Sequence, residues 1–158
     1  MQPSRGSRES RVTLLIRDIQ PSDRPQWEVL WQGYLEFYKV TLQAGTTETT
    51  WSRFFDAAEP VHCLVAEAEG RLLGLVHYIF HRNTWMVSDV CYLEDLFTAP
   101  SARGQGVGRA LIEAVYDKAR IAGVSRVYWM TQETNTQARV LYDKVADAPG
   151  FVQYRKQV

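Results

Sequence analysis

Residues 88–123, SDVCYLEDLFTAPSARGQGVGRALIEAVYDKARIAG, decide the fold. Residues 88–98 are apolar and β-branched or aromatic at most positions, which predicts a strand. Pro100, Gly104 and Gly106 break it into a loop over residues 99–106. From Val107 the period changes: Val107, Leu111, Val115 and Ala119 fall on one stripe of an amphipathic helix that ends near Gly123. Residues 124–130, VSRVYWM, return to strand composition. The stretch is a strand, a glycine loop, a helix and a second strand.

Outward from this unit the same rules apply. Residues 12–19 predict a first strand, and Pro21-Ser22-Asp23 punctuates it and can cap a helix running to about Val40. On that helix Trp27, Trp31, Tyr34 and Tyr38 form an aromatic face, with Leu30 and Phe37 alongside. A second helix is predicted from Thr47 to Ala57. Residues 61–68 and 71–80, joined by Glu69-Gly70, predict a β-hairpin. Beyond residue 130, Asn135 to about Val145 predicts a helix with Ala138, Leu141 and Val145 facing inward, and residues 151–156 predict a last strand. Hairpins followed by a strand–helix–strand crossover imply an α/β chain with a mixed, mostly antiparallel sheet flanked by helices. Residues 1–11, polar and rich in Ser and Arg, predict a disordered tail, leaving 12–158 as one domain.

The glycine loop carries the chemistry. In Arg103-Gly104-Gln105-Gly106-Val107-Gly108, glycines let successive backbone N–H groups turn into one concavity, and the helix start adds unsatisfied donors and a positive dipole end. A diphosphate is the natural occupant. A P-loop would end in Gly-Lys-Ser/Thr, whereas Arg109-Ala110 follows here. A dinucleotide fingerprint would place its third glycine one residue later, although Glu133 could imitate the ribose-binding acid of that fold. A tight turn with no ligand is the third reading.

Composition narrows the rest. The 158 residues carry no formal net charge, which argues against nucleic acid as the main ligand. No apolar run reaches the roughly 20 residues that span a bilayer, and the polar start has no secretory h-region, so a cytoplasmic protein is expected. Cys63 and Cys91 lie in apolar strand-like runs and read as buried free thiols. With His62, His77 and His81 they make no metal-ligand pattern, and no metal site is expected.

The sequence resembles the GCN5-related N-acetyltransferase (GNAT) superfamily, whose pyrophosphate loop Arg/Gln-x-x-Gly-x-Gly/Ala is met by Arg103, Gly106 and Gly108. His62-Cys63-Leu64-Val65-Ala66-Glu67 and Tyr92-Leu93-Glu94-Asp95 resemble segments of the spermidine/spermine (diamine) acetyltransferases. The Trp/Tyr-rich first helix and Tyr128-Trp129-Met130-Thr131-Gln132-Glu133 resemble the histone- and polyamine-acetyltransferase branch. The resemblance implies a GNAT-type acyl-CoA N-acyltransferase fold and acetyl-CoA as cosubstrate. It assigns coenzyme binding to Arg103, Gly104, Gln105, Gly106, Val107, Gly108 and Arg109, to Asn135, Ala138 and Tyr142, and to the backbone of Leu96, Phe97 and Thr98. It also makes a backbone N–H of Leu96 the donor to the thioester oxygen.

An aliphatic amine acceptor arrives as an ammonium, so the enzyme needs a base, and it needs an acid for the departing thiolate. Glu94 is the base candidate, in an otherwise apolar strand where partial burial would raise its proton affinity. Strand alternation predicts that Asp95 points to the opposite face in a structural role. A sheet carboxylate paired with Arg or Lys is the other reading of Glu94. Tyr142 is the acid candidate, seven residues after Asn135, a spacing the superfamily uses. A core aromatic is its other reading. The aromatic stripe reads either as core or as a wall of the acceptor pocket, where an ammonium could lie over a ring. The expected reaction is direct acetyl transfer in a ternary complex to a primary amine, with a polyamine-like acceptor leading. A protein lysine acceptor and a non-catalytic CoA-binding module are the alternatives. The expected assembly is a homodimer acting on a small molecule, without nucleic acid or membrane.

Overall fold

The computed structural model describes residues 13–158. The tail expected over residues 1–11 lies outside the described residues. Two compact units divide between Tyr128 and Trp129.

The first unit is built on a five-stranded sheet of order β1-β2-β3-β4-β5: Leu15–Asp18, Val61–Ala68, Arg71–His81, Val90–Thr98 and Val127–Tyr128. The first four strands are antiparallel neighbours, and β5 joins β4 in parallel. The β2–β3 hairpin turns on Glu69 and Gly70, both left-handed at φ 51° and 76°, which matches the twist of the flanking strands.

Helix α1, Arg24–Phe37, covers one face of the sheet. Trp27, Leu30, Trp31 and Leu35 pack there with Cys63, Val65, Leu75 and Phe97, and α2, Thr46–Arg53, adds Trp51, with Phe54 just beyond its end. Helix α3, Val107–Ile121, buries Val107, Leu111, Ile112, Val115 and Ala119, the predicted stripe with Ile112 added. It packs on β2, β3 and β4, where Gly74 lets it approach: a Cβ at Gly74 would lie 2.9 Å from both Phe97 O and Val107 Cγ1. Both cysteines are buried and free, as expected.

Helix α1 ends three residues before the expected Val40. Val40 N–H donates to Leu35 O at 2.9 Å and Lys39 N–H to Glu36 O at 3.0 Å, with Lys39 left-handed at φ 55°. This pair of bonds is a Schellman stop without its usual glycine, which is why no stop signal was visible in the sequence. Arg17 joins β1 to the start of α1, donating to Asp23 Oδ2 at 2.7 Å and Oδ1 at 2.9 Å, and to Glu67 of β2 at 2.6 Å.

The second unit, Trp129–Val158, contains helix α4, Thr136–Val145. Residues 146–158 form no strand, which corrects the expectation for 151–156. Phe151 and Tyr154 are 83% and 94% exposed. Along a strand, Phe151 would face one side and Val152 and Tyr154 the other, so neither face is apolar enough to require burial. The strand expected over 124–130 shortens to Val127–Tyr128.

Candidate active site

Strand β4 contains a bulge. His77 of β3 pairs with Asp95 and the next residue, Tyr78, pairs with Leu93, so Glu94 is the extra residue. A bulge bends its strand and re-aims its side chains. The regular alternation expected at Glu94 and Asp95 is interrupted by this bulge, and both carboxylates act electrostatically on the Tyr34 hydroxyl of α1. Asp95 accepts a hydrogen bond from His77 Nδ1 at 2.9 Å. Burial, then Asp95, then Tyr38 push the Tyr34 hydroxyl well above the ordinary phenol value, with Glu94 adding least.

Glu94 is open to solvent at its surface, yet the protein flanking it removes enough water to raise its carboxyl above the ordinary value. Asp95 adds to the rise, and a charged His77 would oppose it. No salt bridge to Arg or Lys involves Glu94 among the described ion pairs, so the paired-carboxylate reading finds no support there. Tyr92 and Tyr128 stack nearby with centroids 5.0 Å apart, and both hydroxyls feel Glu94. Burial first, then Glu94 and Asp95, push Tyr92 up to about 12. Tyr128 donates to His81 Nε2 at 2.7 Å, because His81 Nδ1 donates to Arg82 O at 2.8 Å.

The aromatic stripe is core at its first half. Trp27 and Trp31 are core, at 0% and 6% exposure, while Tyr34 and Tyr38 are half-buried and continue toward the carboxylates.

Among the described residues β4 pairs with β5 only at Cys91 and Tyr92. The remainder of β4, which carries Leu96, Phe97 and Thr98, has no β5 partner, although β3 pairs along its other edge. The loop follows. Gly104 and Gly106 are left-handed, at φ 76° and 80°, and a Cβ at either would meet only open space, so conformation rather than crowding selects glycine. Gly106 is the N-cap of α3 and has no side chain to satisfy the first helical N–H groups, and the first turn holds no acidic residue. Gly108 and Arg109 lie in that turn. Arg109 donates to Glu113 at 2.9 Å. Arg103 lies over the Phe37 and Phe97 rings at 5.9 and 5.7 Å and donates to Thr98 O at 3.3 Å. Exposed donors at a dipole's positive end suit an anion, so these residues fit a diphosphate.

Asn135, Ala138 and Tyr142 belong to the second unit. Asn135 is the N-cap of α4 and donates through Nδ2 to Thr131 Oγ1 at 3.4 Å. Seven residues are nearly two helical turns, so Asn135 and Tyr142 share a face of α4. Ala138 and Tyr142 are half-buried, and the Tyr142 ring meets Trp129 edge-on at 5.4 Å.

Sequence reasoning missed the His77–Asp95 contact and the indole behind it: Trp27 Nε1 lies 3.1 Å from His77 Nε2. Only the presence of His77 in an apolar strand signalled it.

The GNAT acetyltransferase family matches residues 19–146. This chain belongs to that family. The acetyl-CoA-dependent N-acetyltransferase expected from the sequence stands with it. The chain is 37% identical to the D-amino-acid N-acetyltransferase HPA3 of Saccharomyces cerevisiae, over 90% of each chain. It is 36% identical to a thialysine N-epsilon-acetyltransferase of Sus scrofa, over 91% of this chain and 92% of that one. Among solved structures, the aminoglycoside N-acetyltransferase AAC(6')-Iy in complex with CoA superposes with a TM-score of 0.79 at 20% identity, covering 95% of this chain and 99% of that one. At that identity the likeness is one of fold.

Among the described residues no helix is long and apolar enough to cross a membrane, and no group of three His, Cys, Asp or Glu could hold a metal ion.

Proposed function

We propose that the chain transfers the acetyl group of acetyl-CoA directly to a primary amine of a small, amino-acid-sized acceptor. The observation that carries this reading is the pair of left-handed glycines leading into α3 a few residues beyond the strand that carries Glu94, a carboxylate with no Arg or Lys partner among the described ion pairs. The first-turn N–H groups, with Arg103 and Arg109, hold the diphosphate. The part of β4 beyond its β5 pairing, at Leu96, Phe97 and Thr98, bonds the pantetheine amides, and Asn135 and Ala138 are further coenzyme-binding residues. The Leu96 N–H polarises the thioester oxygen. Glu94 takes the acceptor's proton, directly or through water, and Tyr142 protonates the departing thiolate.

The relatives named for D-amino acids and thialysine favour an acceptor of amino-acid size over a polyamine. The same proposal includes one catalytic domain over residues 12–158, acting as a cytoplasmic homodimer without metal, nucleic acid or membrane.

Acetyl-CoA should raise the melting temperature, and free thiol should appear with a panel of amines. A folded Gly106→Asp variant should lose the thermal shift, because a carboxylate would occupy the diphosphate position. A shift in melting temperature with no turnover on any amine would make the chain a coenzyme-binding module instead.

A further inference from the structure

An indole N–H can only donate. Trp27 Nε1 lies 3.1 Å from His77 Nε2, and the two side chains are 0% and 3% exposed. Nε2 is therefore an acceptor, and the ring's single proton sits on Nδ1, which donates to Asp95 Oδ2 at 2.9 Å. This donor is neutral, so the carboxylate is oriented without being neutralised, and the Tyr34 hydroxyl lies near enough to feel its charge. The bulge then sets Glu94 beside it. The other titratable groups around the pair are Tyr38 just past the end of α1, Tyr92 of β4 and Tyr128 of β5; Arg126 acts on the Tyr128 hydroxyl, whereas Glu94 feels Asp95 and His77.

We propose that Asp95 is a positioning residue for deprotonation of the acceptor: the Trp27–His77 pair holds its carboxylate as an uncompensated anion beside Glu94, and this fixed charge sets how readily Glu94 takes the amine proton. The step is a proton transfer. The acceptor's N–H bond breaks, its electron pair stays on nitrogen for attack, and the Glu94 carboxylate gains the proton. The proposal rests on the reading of Glu94 as the base. A like charge nearby raises proton affinity, which agrees with the direction of the Glu94 shift. A positively charged His77 would cancel the effect, and the indole prevents that by supplying a donor where the imidazolium would need an acceptor.

The test is the pH dependence of kcat/KM for wild type, Asp95→Asn and Glu94→Gln, with folding checked by thermal melting. Asn keeps the shape of Asp and an oxygen for the His77 N–H, and removes only the charge. Asp95→Asn should move the acid limb to lower pH and cut the plateau on the order of tenfold, with the KM for acetyl-CoA unchanged. Glu94→Gln should flatten the limb and lose on the order of 10²-fold. An unmoved limb in folded Asp95→Asn overturns the proposal while leaving Glu94 as the base. Full activity in Glu94→Gln removes the base and the proposal together. Nitrogen NMR of the wild-type histidines needs no variant: His77 should show a protonated Nδ1 and bare Nε2 wherever the enzyme is active, and an imidazolium there overturns the proposal.

Discussion

Two side chains carry predictions of their own. Tyr142→Phe keeps the ring that packs on Trp129 and removes only the hydroxyl. The rate should fall on the order of 10²-fold while acetyl-CoA affinity holds. Activity near wild type at every pH would make Tyr142 a packing residue. Asp23 is buried, and its two bonds from Arg17, helped by the Gln20 N–H at 2.8 Å, hold its carboxyl below the ordinary value against the opposing effect of burial. A group depressed in the folded state stabilises above its unfolded pKa, and that contribution is lost as pH falls through the folded one. Asp23→Asn should cost about 3 kcal/mol at neutral pH, as expected for removing one member of a buried pair. The gap to wild type should shrink as the solution is acidified below the ordinary carboxylate pKa. A gap independent of pH in urea melts would show that the loss is packing and not charge.

Elements whose signals are local could be read in the sequence; those fixed by partners could not. The α3 stripe and its glycine loop are local, and α3 stops at Gly123 through a Schellman pair, with Val124 N–H to Ala119 O at 2.8 Å and Gly123 N–H to Arg120 O at 3.1 Å. The bulge at Glu94 is not local, because it is a mismatch between β3 and β4, and it interrupts the alternation expected at Glu94 and Asp95. The Trp27–His77 bond joins residues 50 apart in the chain, beyond any periodicity. The glycine loop and Glu94 stood out in the sequence as candidates, whereas the His77 contact that holds Asp95 did not. Gly74 was equally silent, an apparently careless glycine in a buried strand, until α3 was seen against it. Gly74→Ala should destabilise by about 1–3 kcal/mol, the usual cost of overpacking, since its Cβ would press on a backbone carbonyl that cannot rotate away. A melting temperature equal to wild type would mean that α3 shifts freely on the sheet.

At the scale of the whole molecule the open question is which amine the enzyme selects. The chain has no net charge, so no large acidic field draws polycations toward it, and selection has to come from short-range contacts. With Glu94 as the proposed base, the contacts nearest to it are its own carboxylate and that of Asp95, and the rings of Tyr34, Tyr92 and Tyr128. Glu48 is held by Arg24, which removes one of the carboxylates that could have bound a second ammonium. One localised anionic patch beside aromatic faces suits one ammonium, and a long polyamine would leave its other charges without partners there. The expected order of kcat/KM is therefore a free amino acid or an amine-bearing amino-acid side chain first, spermidine second and a lysine peptide last. D-amino acids, a thialysine-like side-chain amine, spermidine and a lysine peptide can be compared at fixed acetyl-CoA by thiol release. A preference for spermidine by more than about tenfold, roughly 1.4 kcal/mol of transition-state binding, would require a second anionic subsite and overturn the one-ammonium reading. A lysine peptide leading by the same margin would move the acceptor from small molecules to proteins.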